Sequence, residues 1–198
     1  MNRDQTQYCE SWIRRYRRAL FTLVLVSGFI PWQCEGGMPT DVDGTEARYL
    51  KKMLSFVEWP SAPESPMDNF RVCVAEDYRI TFPLSEELRG ITISGRKINV
   101  QMISTTESPR NCRVLFIGSP EPKLRAKLLE SVKGTQVLTV GDDAGFLEAG
   151  GILEFVQTEN KIQFAVNLHA AKRAGLKIDS RLLALAQRVL PDKEVAGT

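Results

Sequence analysis

A chain of 198 residues with 43% apolar side chains has room for one domain of ordinary size and enough apolar content to bury a real core. The net charge of +2 arises at the front of the chain, because basic and acidic groups balance beyond residue 36; no basic surface for nucleic acid is expected. Arg14, Arg15, Arg17 and Arg18 precede residues 19–32, a fourteen-residue apolar segment interrupted by Ser27, Gly28 and Pro31. A membrane-spanning helix needs about 20 apolar residues, so this segment is short, and a basic front ahead of a short apolar stretch has the layout of a secretory signal. Residues 1–36 therefore read as a signal peptide or N-terminal membrane-targeting segment. Retention as an anchor and lipid attachment at Cys34 stand as alternative fates. A linker over residues 37–44 leads to an α/β domain over 45–190, and residues 191–198 form a tail.

Within the domain, residues 45–57 predict a helix with Ala47, Leu50, Leu54 and Val57 on one face. It ends at Trp59, since the residue before a proline is pushed out of the helical region. Trp59 reads as a core or helix-end anchor. Residues 61–69 form a loop. Residues 70–75 form a strand with Phe70, Val72 and Val74 on one face and Cys73 on the other. Pro83 fits the first turn of a helix running to Leu88, with Gly90 as its stop. Residues 96–102 alternate Ile98, Val100 and Met102 as a strand does. Residues 112–117 are almost continuously apolar, as in a strand covered on both faces. A helix over 123–132 buries Leu124, Leu128 and Val132, and residues 136–140 form the next strand. Two further strands, 152–156 and 161–166, are joined by a short polar link and read as a hairpin. Asn167 caps a short helix stopped by Gly175, and Asp179 or Ser180 caps a second that runs to Pro191. The fold class is thus α/β: a mainly parallel sheet with helices on both faces and a C-terminal antiparallel hairpin followed by two helices.

The chemical inventory is thin. His169 is the single histidine and stands in a helix start with no nucleophile elbow anywhere, so it reads as a surface or cap residue and no catalytic residue is expected. No Cys-x-x-Cys and no histidine pair offers a metal site, and no cofactor is expected. Residues 145–151 have the look of a phosphate loop, but Ile152 stands where Lys and Ser or Thr belong. Asp142 and Asp143 follow a strand of an open α/β sheet, the place where ligands collect, and are the candidate ligand-binding residues beside the reading of a solvated turn.

Three stretches carry a resemblance. They are Phe56-Val57-Glu58-Trp59-Pro60, then Leu138-Thr139-Val140 with Gly145-Phe146 and Gly150-Gly151, and finally the run from Phe164 to Ala186, FAVNLHAAKRAGLKIDSRLLALA. Together they resemble the YfiR-like family of bacterial periplasmic regulators. The resemblance spans roughly residues 46–190. It implies a periplasmic protein that represses an inner-membrane diguanylate cyclase by binding it, and a homodimer; a periplasmic small-molecule sensor, its ligand unknown, is the alternative. The helix over 45–57 departs from the family pattern at Lys51-Lys52-Met53-Leu54-Ser55. Cys73 and Cys112 match cysteines of the family, which implies a disulfide that an oxidising compartment would let close. A second family pair is missing, with Gly145 and Ile152 in that neighbourhood.

Overall fold

The computed structural model of the chain describes residues 42–60, 69–75, 77–104, 106–118, 121–158 and 161–192. The expected leader, most of the linker, the loop over 61–68, the Glu159-Asn160 link and the last six residues lie outside the described residues. Helix α1, Val42–Leu54, carries one buried stripe of Ala47, Leu50, Met53 and Leu54, and Glu46 is buried with them. The chain leaves the helix ahead of Pro60 and forms the two-residue strand β1, Val57–Glu58. Trp59 then ties this corner down. Its Nε1 donates to the Gln136 carbonyl at 3.1 Å, and its ring meets Phe70 edge-on at 5.0 Å between centroids.

Strand β2, Phe70–Ala75, is followed by α2, Tyr78–Glu87, then by β3, Thr92–Ile93, and β4, Arg96–Ile103. Pro83 does not open α2. Asp77 caps the helix by accepting from the Arg79 backbone N–H, so the helix begins five residues earlier and carries Pro83 in its interior. A short 3-10 turn, Pro109–Asn111, precedes β5, Val114–Ile117. Helix α3, Pro122–Ser131, leads to β6, Leu138–Gly141. Strands β7, Leu153–Gln157, and β8, Ile162–Asn167, form the expected antiparallel pair, with Phe155 opposite Phe164. Helix α4, Leu168–Arg173, is capped by Asn167, whose side chain accepts from the Ala170 N–H, and Gly175 follows at φ +69°. Strand β9, Lys177–Ile178, pairs antiparallel with β1. Helix α5, Ser180–Leu185, is capped by Asp179.

The last helix is shorter than its sequence spacing suggests. Ala186 is extended, and Arg188–Leu190 is a strand, β10, that lies parallel to β8 from Ala165 to Asn167. Leu182 is the only residue of α5 that is fully buried, so one turn of apolar contact cannot hold the helix against sheet pairing at the edge.

The main sheet has eight strands in the order β10-β8-β7-β6-β5-β2-β4-β3. Strands β2, β4, β5, β6 and β7 run parallel, while β3, β8 and β10 run against them. Helices cover both faces. Val114 and Phe116 of β5 pack with α1, α2, α4 and α5, whereas Leu115 and Ile117 pack with Leu128 and Leu129 of α3. This two-sided burial is what the unbroken apolar run in β5 reflects. No helix among the described residues is long and apolar enough to cross a membrane.

Phe146 has no exposed surface and lies over two glycines, Gly141 and Gly151. A Cβ on either would overlap its ring, with Gly151 the tighter of the two. Around it, the Leu147 N–H donates to Glu154, the Leu147 carbonyl accepts from Asn167, and the Ile152 N–H donates to Thr139, each at 3.0 Å. The ring therefore has little freedom to move aside. Gly151→Ala is expected to lower the unfolding free energy by about 1–3 kcal/mol through overpacking. A denaturation midpoint unchanged from the parent would show that the loop yields.

Candidate functional site

The connections from neighbouring strands diverge at one point of the sheet. From β2 the chain passes through α2 to β4 on one side, and from β5 it passes through α3 to β6 on the other. Such a switch point opens a crevice beyond the carboxyl ends of the strands, where ligands of open α/β sheets bind. Here the loops after β2 and β5 approach closely, because a Cβ on Gly118 would run into the Asp77 carboxylate.

Among the described residues, Asp77, Asp142, Asp43, Glu46 and Arg79 influence one another electrostatically in this part of the fold. Asp77 is buried at the start of α2 and is held by Arg79, whose Nε and Nη2 donate to it at 3.2 and 2.9 Å. Asp142 follows β6. Asp43 and Glu46 come from the first two turns of α1. Glu46 is only 3% exposed. Loss of water and the negative charges of Asp142, Asp43 and Asp77 push its pKa up to about 8, with Arg79 offsetting part of the rise. These charges come from the start of α2 and the end of β6 as well as from α1 itself.

The structure separates the two candidate aspartates. Asp143 is ion-paired with Arg125 of α3, a guanidinium whose Nε is buried without a partner. Asp142 instead shares the field of Glu46 and Arg79. Asp77 and Glu46 escaped the sequence reading, although the second left a trace: Glu46, Leu50, Met53 and Leu54 fall on one helical stripe, where a carboxylate is out of place. His169 is not part of the crevice; its Nδ1 lies 3.1 Å from Asp192. Among the described residues no group of three or more His, Cys, Asp or Glu is arranged to hold a metal ion.

Cys73 and Cys112 are joined as a disulfide, with Cα atoms 5.9 Å apart. The bridge ties β2 to the turn before β5, on the face covered by α3. A separate cavity of about 380 Å³ lies beside α3 and α4, floored by Leu129, Val132, Val137 and Ile152.

The molecule is thus an open, doubly wound α/β domain with a charged crevice at its switch point. The YfiR/HmsC-like family model matches residues 44–187, and the chain belongs to that family, one of regulators rather than enzymes. A solved structure of a conserved domain protein from Vibrio cholerae is similar with a TM-score of 0.52 and 12% identity, over 75% of this chain and 60% of that one; at this identity the likeness is one of fold. The chain spans about 60% of the length of that protein. An ABC domain from Streptococcus pneumoniae, solved in complex with L-Trp, aligns with a TM-score of 0.49 and 9% identity, over 72% of this chain and 61% of that one.

Proposed function

We propose that this protein works in the periplasm as a repressor of a membrane-bound diguanylate cyclase, binding the periplasmic sensor part of that enzyme and so restraining synthesis of cyclic di-GMP. The observation that carries this reading is the family match across residues 44–187. Two physical features support export. The arginine-rich front and short apolar segment have a signal layout, and the buried Cys73–Cys112 bridge suits an oxidising compartment. Cleavage of residues 1–36 and pairing of the mature chain with itself are parts of the same proposal.

Small-molecule sensing is a second reading, favoured by the crevice that holds Glu46, Asp77 and Asp142. The two readings agree if an occupant of the crevice tunes repression. In a strain that expresses the partner cyclase, deletion of the gene is expected to raise cellular cyclic di-GMP, and complementation to restore it. Nucleotide levels that stay constant through deletion and complementation would count against the regulatory role.

A further inference from the structure

The two edges of the eight-stranded sheet are finished differently. At one edge β10 is three residues long, carries Arg188 in an ion pair with Glu148, and is followed by Pro191, all features that discourage a further strand. At the other edge β3 covers only the beginning of β4, and beyond their ladder the Ile98 N–H donates to the Ile91 carbonyl at 3.2 Å. Successive residues of a strand turn their backbone groups to opposite sides, so Val100 and Met102 turn theirs the same way as Ile98, away from β2. No strand among the described residues pairs with them there. Residues 99–103 contain no charge and no proline. Met102 is 37% exposed, although Val100, on the same face of the strand, packs partly on the core. A bare, uncharged edge of this kind is a template for pairing.

We propose that residues 99–103 of β4 pair antiparallel with the same residues of a second copy of this chain, joining two sheets across a two-fold axis at Gln101. This rests on the reading that the mature chain pairs with itself, and it names the surface. The edge is complementary to itself. Around an axis at Gln101, Val100 lies opposite Met102 of the second copy, and each such pair exchanges both of its backbone bonds. The same pairs set the exposed Met102 against an apolar neighbour. At the axis the two Gln101 amides meet, and an amide donates and accepts at once. The length fits as well. Strand β4 ends at Ile103, and the Ser104 N–H donates to the Glu107 carboxylate at 3.1 Å, so the chain turns off just short of the place where β3 of the second copy stands. That turn carries Glu107 towards Arg96 and Lys97 of the second copy, while the basic residues of the two copies lie at opposite ends of the joint. A strand from an unrelated protein would have to match this length, polarity and charge independently.

The joint is short beside a standard protein interface, so a dissociation constant in the micromolar range is expected. Sedimentation equilibrium of the purified protein should show monomer and dimer in exchange, and hydrogen exchange should show the Val100 and Met102 amides slowing as the protein is concentrated. Met102→Pro removes an outward N–H and sets a ring in the joint, while the bonds to β2, made by the alternate residues Asn99, Gln101 and Ile103, remain. It is expected to weaken dimerisation by about tenfold or more. Met102→Lys leaves the backbone intact and adds a charge to the edge; it is expected to act in the same direction and decides the matter if the proline variant does not fold. Leu185→Lys, at an exposed position of α5 ahead of the opposite edge, is expected to leave the equilibrium unchanged. A protein that stays monomeric into the high micromolar range would overturn both the joint and the self-pairing on which it rests. A dimer undiminished in the folded Met102 variants would overturn the joint alone and put self-pairing on another surface. Neither result touches repression of the cyclase, which the deletion experiment reads separately.

Discussion

Cys73→Ser is expected to lower the unfolding free energy by about 4 kcal/mol, Cys112→Ser to do the same, and the double variant to lose no more than either. The bridge closes a loop with a sequence separation of 39 residues. In the chain-entropy model such a loop restricts the unfolded ensemble by about 4 kcal/mol at room temperature. Both sulfurs are buried, so a lone serine hydroxyl in either place adds some desolvation cost. The loss is a large share of the 5–15 kcal/mol that typically holds a domain together. Urea denaturation with and without a reductant separates the contributions. The reduced parent should fall to the midpoint of the single variants, and a parent whose midpoint ignores the reductant would rule out a stabilising bridge.

Glu46→Gln is expected to stabilise the fold at neutral pH and above, the opposite of what removal of a buried charge partner usually does. In the unfolded chain Glu46 releases its proton near pH 4.5, and in the folded chain near pH 8. Between these values the folded state binds a proton that the unfolded state has lost. Stability of the parent therefore falls as pH rises through that window, by up to about 1.4 kcal/mol per unit. Glutamine cannot titrate and resembles the protonated acid in shape, so the variant lacks this slope. The two proteins should match near pH 4.5, differ by about 3 kcal/mol at pH 7 and by about 4 kcal/mol at pH 8, these being upper bounds. Thermal or urea unfolding across that range provides the check. A difference that does not change with pH would mean that Glu46 is ionised in the folded state throughout.

Local patterns in the sequence were enough to locate most of the secondary structure. The alternation in Phe70–Ala75, the unbroken run in Val114–Ile117 and the caps at Asn167 and Asp179 each have a short-range physical cause. The two misplaced helix ends were decided from further away. Arg188–Leu190 became a strand because β8 offers a free edge, and a helical spacing of Leu182, Leu185, Ala186 and Val189 cannot reveal that edge. At α2 the cap at Asp77 outweighed the usual place of proline at a helix start. Two-residue strands such as β1, β3 and β9 are too short to leave a periodic signal. Position after a strand singles out Asp142 and Asp143 together, of which Asp143 is ion-paired with Arg125; Glu46 and Asp77 come from segments far apart in the chain, and no local pattern joins them to that turn.

The β1–β9 ribbon bears on the order in which the protein folds. Val57 pairs with Ile178, Glu58 with Lys177, and the Asp179 N–H donates to the Phe56 carbonyl at 2.9 Å, so the clasp joins opposite ends of the domain. Helix α1 leans on β8, also late in the chain. A chain emerging N-terminus first can pack α1 on α2 early, but the side of α1 that meets β8, and strand β1 itself, wait until β8 and β9 arrive. Contacts of such wide sequence separation slow the final step of folding, and an uncovered apolar stripe invites association with other unfinished chains. The β1–β9 clasp is thus among the last contacts to close, although one of its two strands is among the first parts of the domain to be made.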